Sequence, residues 1–201
     1  MTTRKNRTRK QKQTKRVFSK NDYAANDGMV SSVWGPPFWH YLHTMSFNYP
    51  VEPTMQDKKH YRNFILSLKY VLPCRFCRQN IRTNFKHLPL TMDQMKNRDT
   101  FSRYVYDLHE LVNKMLKKDS GLSYSDVRER YENFRSRCTD EKPLLYKFTS
   151  LSKTRKNKNK KEKGCTTPLY GKKSKCIVSI VPDEERGESF QMDKKCIKTR
   201  E

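Results

Sequence analysis

Leu72-Pro73-Cys74-Arg75-Phe76-Cys77 places two cysteines two residues apart, directly after an apolar run and a proline. A pair at this spacing can close a small disulfide at the start of a helix and reopen it with little backbone movement. Unpaired amides at a helix N-terminus favour a thiolate, so a cysteine there is more acidic than a free one. Pro73 suits the turn that leads into such a helix. Taken alone the motif has three readings: a redox-active dithiol, half of a zinc site, or a cysteine pair without chemistry.

Upstream of the pair, Tyr61, Phe64, Ile65, Leu68 and Leu72 fall at helical spacing, which predicts a helix over about 56–71 that delivers the chain through Leu72 to Pro73. Downstream, a short helix is expected from Cys77 to about Phe85, broken by His87-Leu88-Pro89-Leu90. Before these lies Val33-Trp34-Gly35-Pro36-Pro37-Phe38-Trp39-His40-Tyr41-Leu42-His43. Glycine and two prolines read as the entrance to a helix. Phe38, Leu42 and Met45 then form one stripe, with Trp39 and His43 together on an adjacent face. An indole beside an imidazole suits a planar ligand, although a core tryptophan next to a satisfied histidine is the commoner arrangement.

The longest periodic segment is 98–118, with Phe101, Tyr104, Val105, Leu108, Val112 and Met115 on its buried side. His109 and Asn113 lie four apart at the edge of that stripe. They are able to hydrogen-bond a heterocycle, or simply to form the polar margin of a buried helix. Asp119-Ser120-Gly121 reads as the helix stop. A last helix over 125–137 carries Val127, Tyr131 and Phe134. The expected fold is all-α: a four-helix bundle plus a short fifth helix.

Composition sets the frame around this bundle. The chain has 201 residues and a net charge of +23, with six cysteines. Residues 1–20 hold nine Lys/Arg and no acid, and residues 151–163 hold seven Lys/Arg against one Glu. Residues 28–150 carry 20 basic and 12 acidic residues, so +15 of the charge lies outside them. The division expected is a disordered basic arm at 1–28, a folded domain at 29–148, a basic linker at 149–164 and a cysteine-containing extension of uncertain fold at 165–201. The extension includes a β-like run, Cys176-Ile177-Val178-Ser179-Ile180-Val181. No apolar run approaches the roughly 18 residues of a membrane helix, so no membrane insertion is expected. Charge placed mainly in tails suggests electrostatic contact with nucleic acid or acidic surfaces, rather than a folded binding face. Six cysteines with no apolar leader point toward metal or thiol redox chemistry.

Taken together, four ordered blocks make residues 33–137 resemble the Erv/ALR family of FAD-linked sulfhydryl oxidases. Gly35 to Met45 is similar to the family's G-x-x-x-W-x-x-L-H opening. Leu72-Pro73-Cys74-Arg75-Phe76-Cys77 matches its redox motif. Leu108-His109-Glu110-Leu111-Val112-Asn113-Lys114-Met115-Leu116 looks like its H-N-x-V-N-x-x-L flavin motif. Val127-Arg128-Glu129-Arg130-Tyr131 resembles its closing segment, with tyrosine where tryptophan is usual.

The resemblance implies a helical bundle that holds FAD beside the disulfide. Gly35, Trp39 and His43 would line the flavin, His109 and Asn113 would contact the adenine end, Lys118 would approach the phosphates, and Tyr131 would pack on the cofactor. Cys77 would be the flavin-proximal thiol and Cys74 the one attacked by substrate; no metal is expected. Electrons would pass from dithiol protein substrates through Cys74–Cys77 and FAD to O2, giving H2O2. A homodimer is expected. Glu110 replaces the motif's first Asn, and no flavin contact is expected there. A structural bridge common in the family is replaced at both ends, by Tyr106 and Tyr124, and an aromatic contact is expected instead. Cys138, Cys165, Cys176 and Cys196 are candidates for shuttle thiols, or for structural or free ones. These features resemble the versions of large DNA viruses, which implies host cytoplasm or virion, with the mitochondrial intermembrane space as the alternative. The competing reading is a basic nucleic-acid- or zinc-binding interaction protein with a non-catalytic C-x-x-C.

Overall fold

The structure is a computed structural model and describes residues 20–24, 28–137, 167–168, 172–185, 187 and 190–196. Its helices are α1 (Lys20–Ala24), α2 (Ser31–Phe47), α3 (Met55–Val71), α4 (Arg75–His87), α5 (Arg98–Met115) and α6 (Tyr124–Glu132). The expected bundle is present as α2 to α6. Helix α2 packs on α5 and α6, α3 packs on α4, and α4 also meets α5.

Side-chain caps start most of these helices. Thr54 and Asp57 close a reciprocal capping box at α3, Asn97 and Thr100 do so at α5, and Ser123 and Asp126 at α6. Each box satisfies two amides that a helix start leaves without partners. Helix α2 has no such cap and begins at Ser31, a turn before the entrance expected at Gly35 to Pro37. Both prolines therefore stand inside the helix. Their missing N–H groups deprive only the carbonyls of Ser32 and Val33, residues exposed to water.

Two helix ends also differ from the sequence reading. Helix α5 stops at Met115 rather than Lys118. Lys117 adopts a left-handed φ of 54°. Its amide donates to the Lys114 carbonyl (3.1 Å), and the Lys118 amide donates to the Asn113 carbonyl (2.9 Å). This is the Schellman arrangement, built on lysine instead of glycine. Helix α6 stops at Glu132 rather than Arg137. The Arg135 guanidinium bonds Glu132 (2.7 and 2.8 Å) and reaches the Phe47 carbonyl (2.6 Å), which pulls the chain off the helix axis onto the end of α2. Ser136–Arg137 then pairs antiparallel with Thr167–Pro168, a two-residue ladder of strands β1 and β2.

The buried core is built from Leu42, Tyr49, Ile65, Leu68, Met95, Phe101, Tyr104, Val105 and Leu108. Tyr49 is fully buried although it stands beside Pro50. Its hydroxyl donates to the Met95 carbonyl (3.0 Å), and its ring meets Tyr61 and Phe101 at 4.8 and 4.9 Å. A second cluster gathers Phe47, Val127 and Tyr131 with Tyr106, Leu122, Tyr124 and Phe134.

The expected contact between Tyr106 and Tyr124 is present, edge to face with ring centroids 5.7 Å apart. Tyr106 Oη donates to the Leu122 carbonyl (2.8 Å), and Tyr124 Oη shares a hydrogen bond with Ser102 Oγ (2.8 Å). A double-mutant cycle with Tyr106→Leu and Tyr124→Leu should return a coupling of about 1 kcal/mol in urea unfolding. Additive losses would show that the rings do not brace one another.

Order reaches beyond the expected domain at both ends. Residues 20–24 form α1 within the arm expected to be disordered, and Gly28 pairs with Cys74. In the extension, the β-like run from Cys176 to Val181 is exposed and forms no strand among the described residues. Phe190 instead returns to the bundle. Its ring lies 5.1 Å from His40, 6.3 Å from Tyr131 and 5.9 Å from Phe134, with the Arg130 guanidinium 5.5 Å from its centre. Cys176 and Cys196 are free thiols, whereas Cys138, Cys165 and the 149–164 linker lie outside the described residues.

Candidate active site

Helix α3 runs out at Val71, and buried Leu72 anchors the loop that follows. Cys74 is extended, with φ −152° and ψ 122°, and acts as the N-cap of α4; its Sγ accepts a hydrogen bond from the Cys77 amide at 3.2 Å. Cys74 and Cys77 are disulfide-bonded, with their Cα atoms 5.1 Å apart. The two sulfurs are not equivalent. Cys77 packs against the main core, while Cys74 sits in the loop beside exposed Val71 (66%) and Phe76 (71%). Both cysteines are half-buried.

A second group of side chains borders the same core. Trp39 projects from α2 and stacks on His109 of α5, with centroids 4.0 Å apart and ring planes 8° from parallel. His43 is 4% exposed, and its Nε2 shares a hydrogen bond with His109 Nδ1 at 3.0 Å. Tyr131 of α6 lies 5.2 Å from the His43 ring, and its hydroxyl bonds His40 Nδ1 at 3.2 Å. The i, i+4 spacings in α2 and α5 thus converge on one aromatic wall, which brings Trp39, His43 and His109 together.

The electrostatics of the wall follow from burial. Burial is the main reason that His43 is pushed down to about 3, helped by repulsion from His109 and His40. Burial likewise holds His109 down at about 4, opposed by Glu110. Both imidazoles are therefore neutral near pH 7, as a His–His hydrogen bond requires: one ring donates and the other accepts. Whichever donates, His43 Nδ1 is left over. It is buried and has no partner among the described residues. An orphaned buried nitrogen normally costs stability, so a group that can pair with it is implied. Flat aromatic rings with one open imidazole nitrogen suit a planar heterocycle.

The remaining expected residues are placed less directly. Asn113 donates its amide to Glu110 Oε1 at 3.0 Å, so the departure from the motif at 110 engages the asparagine itself. Lys118 is exposed beyond the end of α5. Gly35 stands one turn before Trp39, with open space where a Cβ would be. Interior glycine costs a helix about 1 kcal/mol relative to alanine, and that space leaves room for a close-lying ligand. His40 and Phe190 join the site without having been singled out. His40 has no periodic partner in sequence, and Phe190 comes from a segment with no local signal at all.

Comparison with known proteins places this geometry in context. The family model for the Erv1 / Alr family matches residues 36–132. A "Probable FAD-linked sulfhydryl oxidase" of Acanthamoeba polyphaga mimivirus is 34% identical over 104 residues, covering 52% of this chain and 72% of the relative. An FAD-linked sulfhydryl oxidase of African swine fever virus is 31% identical over 99 residues, covering 49% of this chain and 80% of its own. The mitochondrial FAD-linked sulfhydryl oxidase of Saccharomyces cerevisiae is 29% identical over 84 residues, covering 42% of this chain and 43% of the yeast protein.

Proposed function

The chain belongs to the Erv1/Alr family, and from that membership we propose that it is an FAD-linked sulfhydryl oxidase that forms disulfides in substrate dithiols through Cys74–Cys77. The observation that carries this reading is the disulfide at the start of α4, packed on the same core as a heterocycle-ready wall.

The exchange begins at Cys74, the sulfur on the loop side of the bridge. A substrate thiolate attacks Cys74 Sγ and forms a mixed disulfide. The Cys74–Cys77 bond breaks, and its electron pair leaves on Cys77 Sγ as thiolate. A second substrate thiolate attacks the substrate sulfur of that mixed disulfide and releases Cys74 as thiolate. The Cys77 amide already donates to Cys74 Sγ, and both sulfurs lie in the first turn of α4, so each departing thiolate is stabilised where it forms. Trp39, His43, His109 and Tyr131 would hold the isoalloxazine, His43 Nδ1 would pair with its polar edge, and Gly35, Asn113 and Lys118 would serve the rest of the cofactor. Bound FAD would supply the two-electron acceptor for the dithiol and an onward path to dioxygen as hydrogen peroxide.

The expected partners are dithiol proteins and dioxygen. A homodimer is proposed, together with electrostatic contact between the basic tails and nucleic acid or acidic surfaces. No helix among the described residues is long and apolar enough to cross a membrane. For a viral chain the site of action would be host cytoplasm or virion; the alternative is the mitochondrial intermembrane space.

The test is a visible spectrum of the purified protein, taken before and after dithiothreitol is added, with oxygen recorded. A flavin band that bleaches as oxygen is consumed supports the proposal. A colourless protein that takes up no oxygen overturns it.

A further inference from the structure

We propose that residues 28–30 are a working part of the redox site: a clamp across Pro73–Cys74 in which Gly28 is a positioning residue for the Cys74 sulfur. The proposal rests on the thiol-oxidase reading for its consequence, but its geometry stands apart from the cofactor wall.

The backbone around Cys74 is held from several directions. The Leu72 carbonyl accepts from Arg78 Nη1. The Cys74 carbonyl accepts from the Arg78 amide (3.0 Å), and Cys74 Sγ from the Cys77 amide (3.2 Å). These donors all belong to α4. The carbonyl between them, that of Pro73, is bonded from elsewhere: the Met29 amide donates to it at 2.7 Å. Gly28 lies opposite Cys74 as an antiparallel pair. The Met29 carbonyl in turn accepts from Trp34 Nε1 at 3.2 Å, which ties the segment to the first turns of α2. The clamp therefore connects the disulfide loop to the helix that carries Trp39 and His43.

Only glycine fits this place. Gly28 has φ +118°, which side chains of L-residues rarely adopt. A Cβ there would lie 3.0 Å from the Pro73 oxygen and 3.1 Å from Cys74 Cα, and both are backbone atoms that cannot swing aside. A side chain at 28 is strained at this φ, and its Cβ needs the segment or the Pro73–Cys74 backbone to give by a few tenths of an ångström.

The clamp acts on the thiol–disulfide equilibrium. With the Pro73–Cys74 backbone held, closing the bridge requires little movement, so the local concentration of the Cys74 thiol at Cys77 is high. Released, the loop samples conformations in which the thiols are apart. The balance in question is dithiol plus oxidised glutathione against disulfide plus two reduced glutathione. It shifts toward the dithiol when the clamp is lost.

The experiment equilibrates the flavin-loaded protein with glutathione buffers without oxygen, alkylates free thiols and quantifies Cys74 and Cys77 by peptide mass. Gly28→Ala is expected to shift the equilibrium about tenfold toward the dithiol, equivalent to about 30 mV for this two-electron couple. Gly121→Ala is the control: Gly121 also has positive φ (+62°) but a Cβ there would meet nothing within 4 Å, so it shares the backbone strain without the contact. It should lower the melting temperature and leave the glutathione equilibrium alone. If Gly28→Ala does not fold, Trp34→Phe removes the bond to the Met29 carbonyl while keeping an aromatic ring, and should shift the equilibrium in the same direction by about threefold. A Gly28→Ala protein, or failing that a Trp34→Phe protein, with the parental equilibrium overturns the clamp. An equal shift in Gly121→Ala does the same. The equilibrium is read on the sulfur–sulfur bond itself, so it judges the clamp even in a protein that shows no turnover; absent turnover in the parent counts against the oxidase reading instead.

Discussion

Cys77→Ser is expected to cut thiol-driven oxygen uptake by at least about a thousandfold while the protein stays folded and yellow. In the proposed exchange the inner sulfur acts twice, as the leaving group when substrate attacks Cys74 and as the proposed donor to the flavin. Serine cannot do either. The fold should tolerate the change because the bridge closes a loop of sequence separation three, and a loop that short removes little entropy from the unfolded chain. Cys74→Ser should lose as much activity but differ in kind. The Cys77→Ser protein keeps the half-buried, loop-side Cys74, which can be trapped in a mixed disulfide with an oxidised small thiol. In Cys74→Ser the remaining sulfur is packed against the core, and trapping should be slower. Oxygen uptake above about a tenth of the parental rate in either variant would separate the pair from the reaction.

The second large effect is acid lability. His43 and His109 hold protons in the folded state only below about 3 and about 4, whereas an unfolded chain protonates them near 6.5. Above about pH 6.5 both states are neutral at these rings, and the pair costs nothing. As pH falls below that value the unfolded chain takes up protons that the folded chain refuses, so stability is lost until the folded values are reached. The slope should be on the order of 2 kcal/mol per pH unit for the two rings together. Across about two pH units this comes to about 4 kcal/mol, a large fraction of the roughly 5–15 kcal/mol that holds a small domain together. His40, which burial also lowers, adds in the same sense, while Glu110 softens the effect at His109. Urea midpoints at pH 7.5, 6 and 5 measure it, and His109→Gln should flatten the profile. Constant midpoints down to pH 5 would mean that the rings are not kept neutral by burial.

The parts of this molecule that could be read in advance are local and periodic. The stripe through Phe101, Tyr104, Val105 and Leu108, the cysteine pair at a helix start, and the pairs Trp39–His43 and His109–Asn113 all follow from 3.6-residue spacing. What joins them does not. The Trp39–His109 stack spans two helices far apart in sequence, and no local pattern says which faces meet. Tyr49 beside Pro50 reads as a helix end, yet its hydroxyl and ring complete the core through residues 46 and 52 positions away. Gly121 looked like the stop for α5, but Lys117 bends the chain first, at a φ that lysine seldom takes. Gly28 was hidden by its surroundings: it closes a polar, basic segment whose composition reads as disorder, and its role is visible only once Pro73 and Cys74 lie against it.

Phe190 carries a last consequence. Its ring lies nearly parallel to that of Tyr131 and close to His40, so the extension competes for the same aromatic surface that a ligand of the site would use. Two occupants of one surface are thermodynamically linked, and the linkage is reciprocal. Whatever the tail gains by resting on Tyr131 is subtracted from any ligand that needs that face, and a ligand that takes the face weakens the tail's hold by the same factor. For any ligand that needs the Tyr131 face, the segment around Phe190, nearly sixty positions later in the chain, would then set part of the affinity.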